Sequence, residues 1–296
     1  MPRRVLIQLD ADPQPSTFDA IVAIDAGAEV LLRHGGVTAE NVVPLVHGAM
    51  FTRGGGDLAA TAIFVGGSDV AAAESVAERV GKTFFGPVRV GLLVDPSGAN
   101  TTAAAAVLSA ARHLPLGGGS AEPCSAVVLG GTGPVGLRVA RLLAGKGLTV
   151  AICSRSLPRA EAAAARVAAE VATGRVSAIE SHVPFRTGTP LARAIAEADV
   201  IVAAGAASAV LLDASGRAAA STARVLVDLN AVPPAGIEGI LADDRGRVEG
   251  RTVLYGALGV GSLKMKIHRA AIERIFTDRE AVLDAEELLA LGESLV

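Results

Sequence analysis

Short apolar runs alternate with alanine-rich amphipathic stretches along the whole chain. Near the N-terminus, Ser16 and Asp19 form the Ser-x-x-Asp pattern of a capping box, and Gly27 marks the end of the helix that they begin. The strands and helices predicted in the first third are, in chain order, 5–9, 17–26, 61–65, 70–80, 88–94 and 101–112. Strands that alternate with helices favour a parallel sheet covered by helices on both faces.

A glycine- and proline-rich stretch at 114–123 separates this region from a second α/β series. Because such a composition neither extends a helix nor holds a strand, this stretch is the predicted linker. The later strands are predicted at 125–129, 148–153, 176–179, 200–203 and 225–228. The stretch 264–295 has a mainly helical pattern and is expected to return to the first domain. The predicted fold class is therefore α/β with two parallel-sheet domains, residues 1–113 plus about 264–296 and residues 124–263, which suits a length of 296 residues.

A glycine motif follows the first strand of the second domain. It reads Gly131-Thr132-Gly133-Pro134-Val135-Gly136, and a predicted helix begins within it. In a Rossmann-like domain, Gly131 would allow the tight turn, Gly133 would let the backbone approach a pyrophosphate, and Gly136 would let helix and sheet pack closely. Pro134 suits the first helical turn. The strand–turn–helix context favours a dinucleotide site over an ordinary glycine turn.

The next strand ends at Ser154, Arg155 and Ser156, where an NAD-specific site usually carries Asp or Glu. Serine and arginine are suited to a 2′-phosphate, so the pattern favours NADP. The alternative is that Arg155 only caps a loop in solvent. Ala204 and Asn230 follow two later strands and are expected in the same cofactor site, where Asn230 would bind a carboxamide.

Composition excludes several classes of function. A formal net charge of −3 gives no drive toward nucleic acid or an anionic membrane, and a chain with no Trp and one Tyr offers few stacking surfaces for bases. Two cysteines exclude a disulfide framework, and the five histidines lack metal-ligand spacing. No signal peptide or membrane span is recognisable, so a cytoplasmic protein that binds no metal is expected.

No strong acid–base motif is present either, because Tyr255 is the only tyrosine and Gly259 stands where a Tyr-x-x-x-Lys pair would need lysine. The absence of such a motif suits hydride loss from a carbon flanked by two nitrogens, because this reaction depends more on the positioning of the two reacting rings than on proton transfer. Two of the four lysines, Lys264 and Lys266, lie in the glycine-rich segment that also holds His268. If a helix starts near Ser262, Lys264 lies in its first turn, where the helix dipole disfavours a cation, and this indicates a functional reason.

On such a helix Lys264 and Lys266 would point about 200° apart, so only one of them would face a cleft. The alternative for Lys264, Lys266 and His268 is a solvated helix surface. Further substrate-binding candidates are Phe18, Asp19, Asn100, Thr101 and Thr102. The last three follow a buried strand, at the edge of the sheet where ligands bind. A plain N-cap would also explain them, and the capping box alone explains Asp19.

Across nearly its whole length the chain resembles the NADP-dependent methylene-tetrahydromethanopterin dehydrogenases, some of which also accept methylene-tetrahydrofolate. The motifs are Phe51-Thr-Arg-Gly-Gly, Thr61-Ala-Ile-Phe-Val-Gly-Gly, Phe84-Phe-Gly-Pro, Asn100-Thr-Thr-Ala-Ala-Ala, Gly131-Thr-Gly-Pro-Val-Gly, Asn230-Ala-Val-Pro-Pro and Gly256-Ala-Leu-Gly-Val-Gly-Ser-Leu-Lys-Met-Lys-Ile-His-Arg-Ala. The resemblance implies pterin binding in a cleft between the two domains and direct hydride transfer to the nicotinamide, giving the methenyl pterin. It also implies a homo-oligomer and places Lys264 in the active site, near the pterin ring and the one-carbon bridge.

Two departures from related enzymes matter. Close relatives carry Gly-Arg-Lys where this chain has Ser154-Arg155-Ser156, and the loss of one cation leaves NAD open as a second cofactor. No lysine precedes Lys82, so the Tyr-x-x-x-Lys pair of the folate dehydrogenase–cyclohydrolases is missing and no cyclohydrolase activity is expected. Two other readings stay open: an NADP-dependent reductase of another small substrate, and a non-catalytic NADP(H) sensor. The lysine-bearing segment argues against the sensor, which needs no second ligand site.

Overall fold

The computed structural model describes residues 2–114, 124–172 and 174–296. All of the predicted linker except Leu114 lies outside these residues. The chain divides into two compact units, one that ends at Thr101 and resumes with Met265–Val296, and one that spans Thr102–Lys264. Both passages of the chain between the units fall inside helices, Ala99–Ala111 and Ala257–Thr277.

The elements before the predicted linker are β1 Val5–Asp10, α1 Thr17–Asp25, β2 Val30–His34, α2 Val43–Phe51, a 3-10 helix Gly55–Ala60, β3 Thr61–Gly66, α3 Val70–Thr83, β4 Gly91–Val94, a 3-10 turn Pro96–Gly98 and α4 Ala99–Ala111. Those after it are β5 Ser125–Leu129, α5 Pro134–Gly145, β6 Thr149–Ser154, α6 Leu157–Glu170, β7 Arg175–Glu180, α7 Pro190–Glu197, β8 Val200–Ala203, α8 Ala214–Ala219, β9 Val225–Asp228, β10 Arg245–Glu249, β11 Thr252–Tyr255, α9 Ala257–Thr277, β12 Val282–Leu283 and α10 Ala285–Glu293.

The first unit holds a parallel five-stranded sheet in the order β12-β4-β3-β1-β2. Its central strand, β3, is buried along its whole length, as expected of a strand covered on both faces. The core includes Leu9, Val46, Ile63, Val76 and Leu92. The last residues of the chain join this sheet, because Leu283 pairs in register with Leu93.

The second unit holds a seven-stranded sheet in the order β10-β11-β9-β8-β5-β6-β7, parallel except for β10. From β7 to β11 this is the Rossmann strand order, with the reversal between β5 and β8. The predicted fold class of two parallel α/β regions is therefore confirmed. The antiparallel strand β10 escapes prediction because Arg245–Glu249 alternates charged residues with glycine and a single valine.

Two predicted boundaries are wrong for identifiable reasons. The strand predicted at 88–94 begins at Gly91, because Val88 pairs with Phe85 across a tight turn. The C-terminal helix begins at Ala257 and not near Ser262. Its early glycines do not break it, since Gly259 packs so closely on Asp244 that no Cβ would fit there. Among the described residues, no helix is long and apolar enough to cross a membrane.

Candidate dinucleotide site and substrate residues

The glycine motif lies at the point where the strand order of the second sheet reverses. It follows β5, and the neighbouring strand β8 runs directly into Ala204, whose N–H donates to the oxygen of Leu129 over 2.9 Å. A Cβ on Gly130 would lie 2.5 Å from the Cα of Gly205, so the two loops are in close contact. In open α/β sheets this edge, at the carboxyl ends of the strands, is where ligands bind.

The glycines of this turn are required for different physical reasons. Gly130, with φ of +68°, takes the left-handed conformation of the turn, so the prediction that Gly131 allows the tight turn is wrong. Gly131 is required by packing, because a Cβ there would lie 2.9 Å from Ile152 Cγ2 on β6. Gly136 is required as well, because its Cβ would lie 2.7 Å from the Cα of Gly131 and 2.8 Å from the oxygen of Gly130.

Gly133 differs from these three. Its φ of −80° and ψ of 168° are open to any residue, and the nearest atoms to a Cβ would be the oxygens of Gly130 and Ala204, at 3.6 and 3.7 Å. The protein itself therefore has room for a side chain at this position. The space fits the close approach of a pyrophosphate to the backbone, which is the reason for glycine at the second position of the motif.

Helix α5 begins at this turn. Gly133 is its N-cap and makes no side-chain cap bond, and Pro134 occupies the first turn. First-turn N–H groups have no acceptor within the helix, and the dipole makes the helix start electropositive. The residues present thus fit the pyrophosphate of a dinucleotide.

Replacing Gly133 by alanine should weaken NADPH binding by about tenfold or more while the melting temperature stays close to that of the wild type. The added methyl group meets only ordinary contacts inside the protein but occupies the space expected for the pyrophosphate. Gly136→Ala is the matched comparison, since it collides with backbone atoms and should lower the melting temperature. Fluorescence titration and circular dichroism melts measure the two effects. Equal NADPH affinity in Gly133→Ala and wild type would contradict this assignment.

The adenosine end of the site is expected at β6, next to β5. Ser154 is buried, and its Oγ accepts a 3.3 Å hydrogen bond from the N–H of Ser156. Arg155 is exposed and makes no hydrogen bond or ion pair within the described parts of the chain. The loop-capping alternative for Arg155 therefore has no contact that supports it.

The side-chain amide of Asn230 makes hydrogen bonds within its own loop. Its Nδ2 donates to the oxygen of Pro234 over 2.9 Å, and its Oδ1 accepts from the N–H of Val232 over 3.1 Å. The buried carboxylate of Asp228 accepts from the N–H groups of Asn230 and Ile237, and burial raises the pKa of this carboxyl. One N–H and one lone pair of the Asn230 amide remain for a carboxamide ligand.

Neither cysteine is suited to nucleophilic chemistry. Cys153 is fully buried in β6, which raises the pKa of its thiol to about 12. Burial also raises the pKa of Cys124, with Asp199 adding to the shift. Both are protonated at neutral pH, whereas a reactive cysteine must be a thiolate. The described residues also contain no cluster of His, Cys, Asp and Glu that would hold a metal ion.

In the first unit, Asn100 and Thr101 are fully buried around Asp95. The carboxylate of Asp95 accepts from both of their N–H groups, at 2.9 and 3.1 Å, and from the Thr101 hydroxyl at 2.6 Å. The Asn100 amide donates to Asp284 over 2.6 Å. Asn100 and Thr101 are the second and third residues of α4, so the prediction of a plain N-cap is wrong. Their contacts with Asp95 favour a structural role over substrate binding for this pair. Thr102, one position on, is half-buried.

The other candidates lie on two helices. Phe18 is 51% exposed on α1, and the N–H of Asp19 donates to Ser16 Oγ as the capping pattern predicts. On α9, Lys264 is the eighth residue, so the argument from a cation in the first turn is wrong. Lys264 is half-buried, and Lys266 is exposed.

His268 occupies a core position. It is fully buried, and its ring stacks on Phe64 of β3 with the ring centroids 5.9 Å apart. A solvated helix surface, the alternative considered for this histidine, is therefore wrong. Asp95 is not among the residues predicted from the sequence, although an aspartate directly after a buried strand and five residues before Asn100 indicates a buried helix cap.

These features define the class: a Rossmann-type dinucleotide-binding protein with a second parallel α/β unit. The family described as "Methylene-tetrahydromethanopterin dehydrogenase, N-terminal" matches residues 17–97. The bifunctional protein MdtA of Methylorubrum extorquens is 43% identical over 295 residues, covering 100% of both chains. The NAD(P)-dependent methylenetetrahydromethanopterin dehydrogenase of the same organism is 32% identical over 98% of this chain and 95% of its own. The chain belongs to the methylene-tetrahydromethanopterin dehydrogenase family.

Solved structures support the fold alone. The ligand-free 5-ketofructose reductase of Gluconobacter sp. superposes with a TM-score of 0.53 at 15% identity, covering 100% of this chain and 99% of that one.

Proposed function

We propose that this protein oxidises methylene-tetrahydromethanopterin to the methenyl pterin by direct hydride transfer to NADP, and that methylene-tetrahydrofolate is a second substrate. The observation that carries the proposal is family membership over the full length of the chain, and the glycine turn supports it because, of Gly130, Gly131, Gly133 and Gly136, Gly133 alone has room for a Cβ. The methylene carbon lies between two nitrogens. The lone pairs of these nitrogens stabilise the cation that remains when the hydride departs. A bound nicotinamide supplies the hydride acceptor.

The residues of the chain bind and orient the reactants. Gly133 and the start of α5 would hold the pyrophosphate, and Ser154, Arg155 and Ser156 the adenosine ribose with its 2′-phosphate. Ala204 and Asn230 would hold the nicotinamide end. For the pterin, Lys264 is the principal residue, with Phe18, Asp19, Thr102 and Lys266 as further contacts. Asn100, Thr101 and His268 would support the substrate residues from buried positions.

The test is a spectrophotometric assay of the purified protein with NADP and each methylene pterin in turn, following the absorbance of the reduced nicotinamide. Turnover with methylene-tetrahydromethanopterin supports the proposal, and turnover with methylene-tetrahydrofolate supports the second substrate. Tight NADPH binding without turnover of either pterin would favour a reductase of another substrate or an NADP(H) sensor.

We further propose a cytoplasmic homo-oligomer that binds neither nucleic acid nor membrane. The net charge of −3 supports the absence of those two partners. Exposed apolar side chains on the first unit, Ile21, Ile24 and Leu32, are 46–57% exposed and support self-association. Sedimentation velocity at several concentrations measures the assembly, and a single species of monomer mass would contradict it.

A further inference from the structure

Asp228 is a buried carboxylate without a positively charged partner. It is the last residue of β9 and is 2% exposed. The other buried carboxylate in the described part of the second unit, Asp244, pairs with Arg247 over 2.6 Å. Within the described residues Asp228 makes no ion pair, and it accepts hydrogen bonds from backbone N–H groups alone. Because burying an unpaired charge is costly, a specific role is expected for this side chain.

The hydrogen-bond donors to Asp228 come from both ends of one loop, residues 229–237. Oδ1 accepts from the N–H of Asn230 over 3.0 Å, and Oδ2 accepts from the N–H of Ile237 over 3.1 Å. The same carboxylate requires glycine at position 236, because a Cβ on Gly236 would lie 2.8 Å from Oδ1. One side chain therefore fixes both the point where the loop leaves the sheet and the point where it returns.

The side-chain amide of Asn230 is oriented by this loop. The oxygen of Pro234 accepts from its Nδ2, and the N–H of Val232 donates to its Oδ1. Since Asp228 holds the backbone N–H of the same asparagine, both the backbone and the amide plane of Asn230 are fixed. The N–H and the lone pair that remain on the amide are complementary to a carboxamide, which has both a donor and an acceptor.

The loop lies on the half of the sheet where the nicotinamide is expected. β8 and β9 lie on one side of β5, and β6 lies on the other. A Rossmann sheet binds the two halves of a dinucleotide on either side of the strand-order reversal, so an adenosine at β6 places the nicotinamide at β8 and β9. The oxygen of Gly236 accepts from the N–H of Leu211 over 2.8 Å, and a Cβ on Gly205 would lie 2.7 Å from Leu211 Cδ1. Because Gly205 also contacts Gly130, packing connects this loop to the glycine turn.

We infer that Asp228 is a positioning residue for the nicotinamide, which it orients through the loop that carries the amide of Asn230. The inference rests on the proposed function only through the cofactor, and it assigns Asp228 no contact with the ligand. It also explains the buried charge. A carboxylate can accept from both ends of the loop, whereas an uncharged asparagine has a single acceptor atom and would leave one N–H group without a partner.

The experiment is direct titration of the full-length protein, without pterin, with NADPH and with 2′-phospho-ADP-ribose, which is the same cofactor without the nicotinamide. The ratio of the two affinities measures what the nicotinamide contributes. In the wild type NADPH should bind about tenfold more tightly, the scale of one or two hydrogen bonds. Asp228→Asn should lower this ratio to about twofold and leave the affinity for 2′-phospho-ADP-ribose unchanged. Asn230→Ala should lower the ratio equally, and the double variant should lower it no further.

Asp199→Asn is the matched control. Asp199 also accepts from a backbone N–H, that of Ser125 over 2.9 Å, but it directly precedes β8 and so lies at the opposite edge of the sheet. Its replacement should change neither affinity. Gly236→Ala is a second variant, which keeps the carboxylate and displaces the loop from it. It should lower the ratio as Asp228→Asn does, and it tests the same contact if Asp228→Asn does not fold.

Equal losses for NADPH and 2′-phospho-ADP-ribose in these two loop variants would overturn the inference, because they would show a general effect on the fold. An unchanged ratio in either variant, or a wild type that binds both ligands equally, would overturn it as well. Failure here is distinguishable from failure of the proposed function. A protein that turns over the pterin but keeps its ratio in Asp228→Asn refutes only the role of Asp228. A protein that shows the expected ratios but oxidises no pterin refutes only the substrate.

Discussion

Replacing Lys264 by alanine should lower the turnover number with methylene-tetrahydromethanopterin by about 100-fold, which is the cost of misplacing a substrate by roughly an ångström. Lys264 is half-buried on α9 and is the last residue of the second unit. As the proposed pterin contact it aligns the one-carbon bridge, so its loss acts on the reacting geometry and leaves NADPH affinity unchanged. Steady-state kinetics and NADPH titration measure the two quantities.

Arg274→Ala is the matched control for this prediction. Arg274 lies on the same helix, and its guanidinium pairs with Asp278 over 2.8 Å in a largely exposed ion pair, which contributes little to stability. Its loss should leave turnover unchanged. Lys264→Arg should retain part of the activity because it keeps the charge. Wild-type turnover in Lys264→Ala would remove this lysine from the mechanism.

Replacing Asp95 by alanine should lower the free energy of unfolding by about 3 kcal/mol, because it leaves buried donors without their acceptor. The carboxylate accepts from the N–H groups of Asn100 and Thr101 and from the Thr101 hydroxyl, and all three residues are fully buried. Urea unfolding followed by circular dichroism measures the loss.

Asp69→Ala is the comparison for this effect. Asp69 also caps a helix, accepting from the N–H of Ala72 over 3.1 Å, but that bond is exposed. Its loss should cost about 1 kcal/mol, the usual value of an N-cap. If Asp95→Ala is no more destabilising than Asp69→Ala, the hydrogen bonds of Asp95 to Asn100 and Thr101 do not stabilise the start of α4. Substrate binding would then again be the favoured role for Asn100 and Thr101.

The periodicity of the sequence predicts most of the fold because buried parallel strands are continuous apolar runs. The strands 125–129, 200–203 and 225–228 are predicted with the bounds that the structure has. The elements that escape prediction lie at sheet edges or are polar. β2 has two exposed residues at an edge, and β10 has three charged residues out of five.

The site is predictable only in part, since local sequence does not report tertiary contacts. The motif at Gly131–Gly136 is recognisable because spacing alone defines it. That the turn depends on Gly130, or that Asn100 bonds to a residue 184 positions away, depends on how distant segments pack.

The central claim is direct hydride transfer from the pterin methylene carbon to NADP. The measurement that tests it most directly uses methylene-tetrahydromethanopterin with both methylene hydrogens replaced by deuterium, followed by mass spectrometry of the NADPH formed. We predict one deuterium per NADPH, and none when the unlabelled pterin reacts in heavy water. NADPH that carries solvent hydrogen, or no NADPH formed from this pterin, would contradict the account.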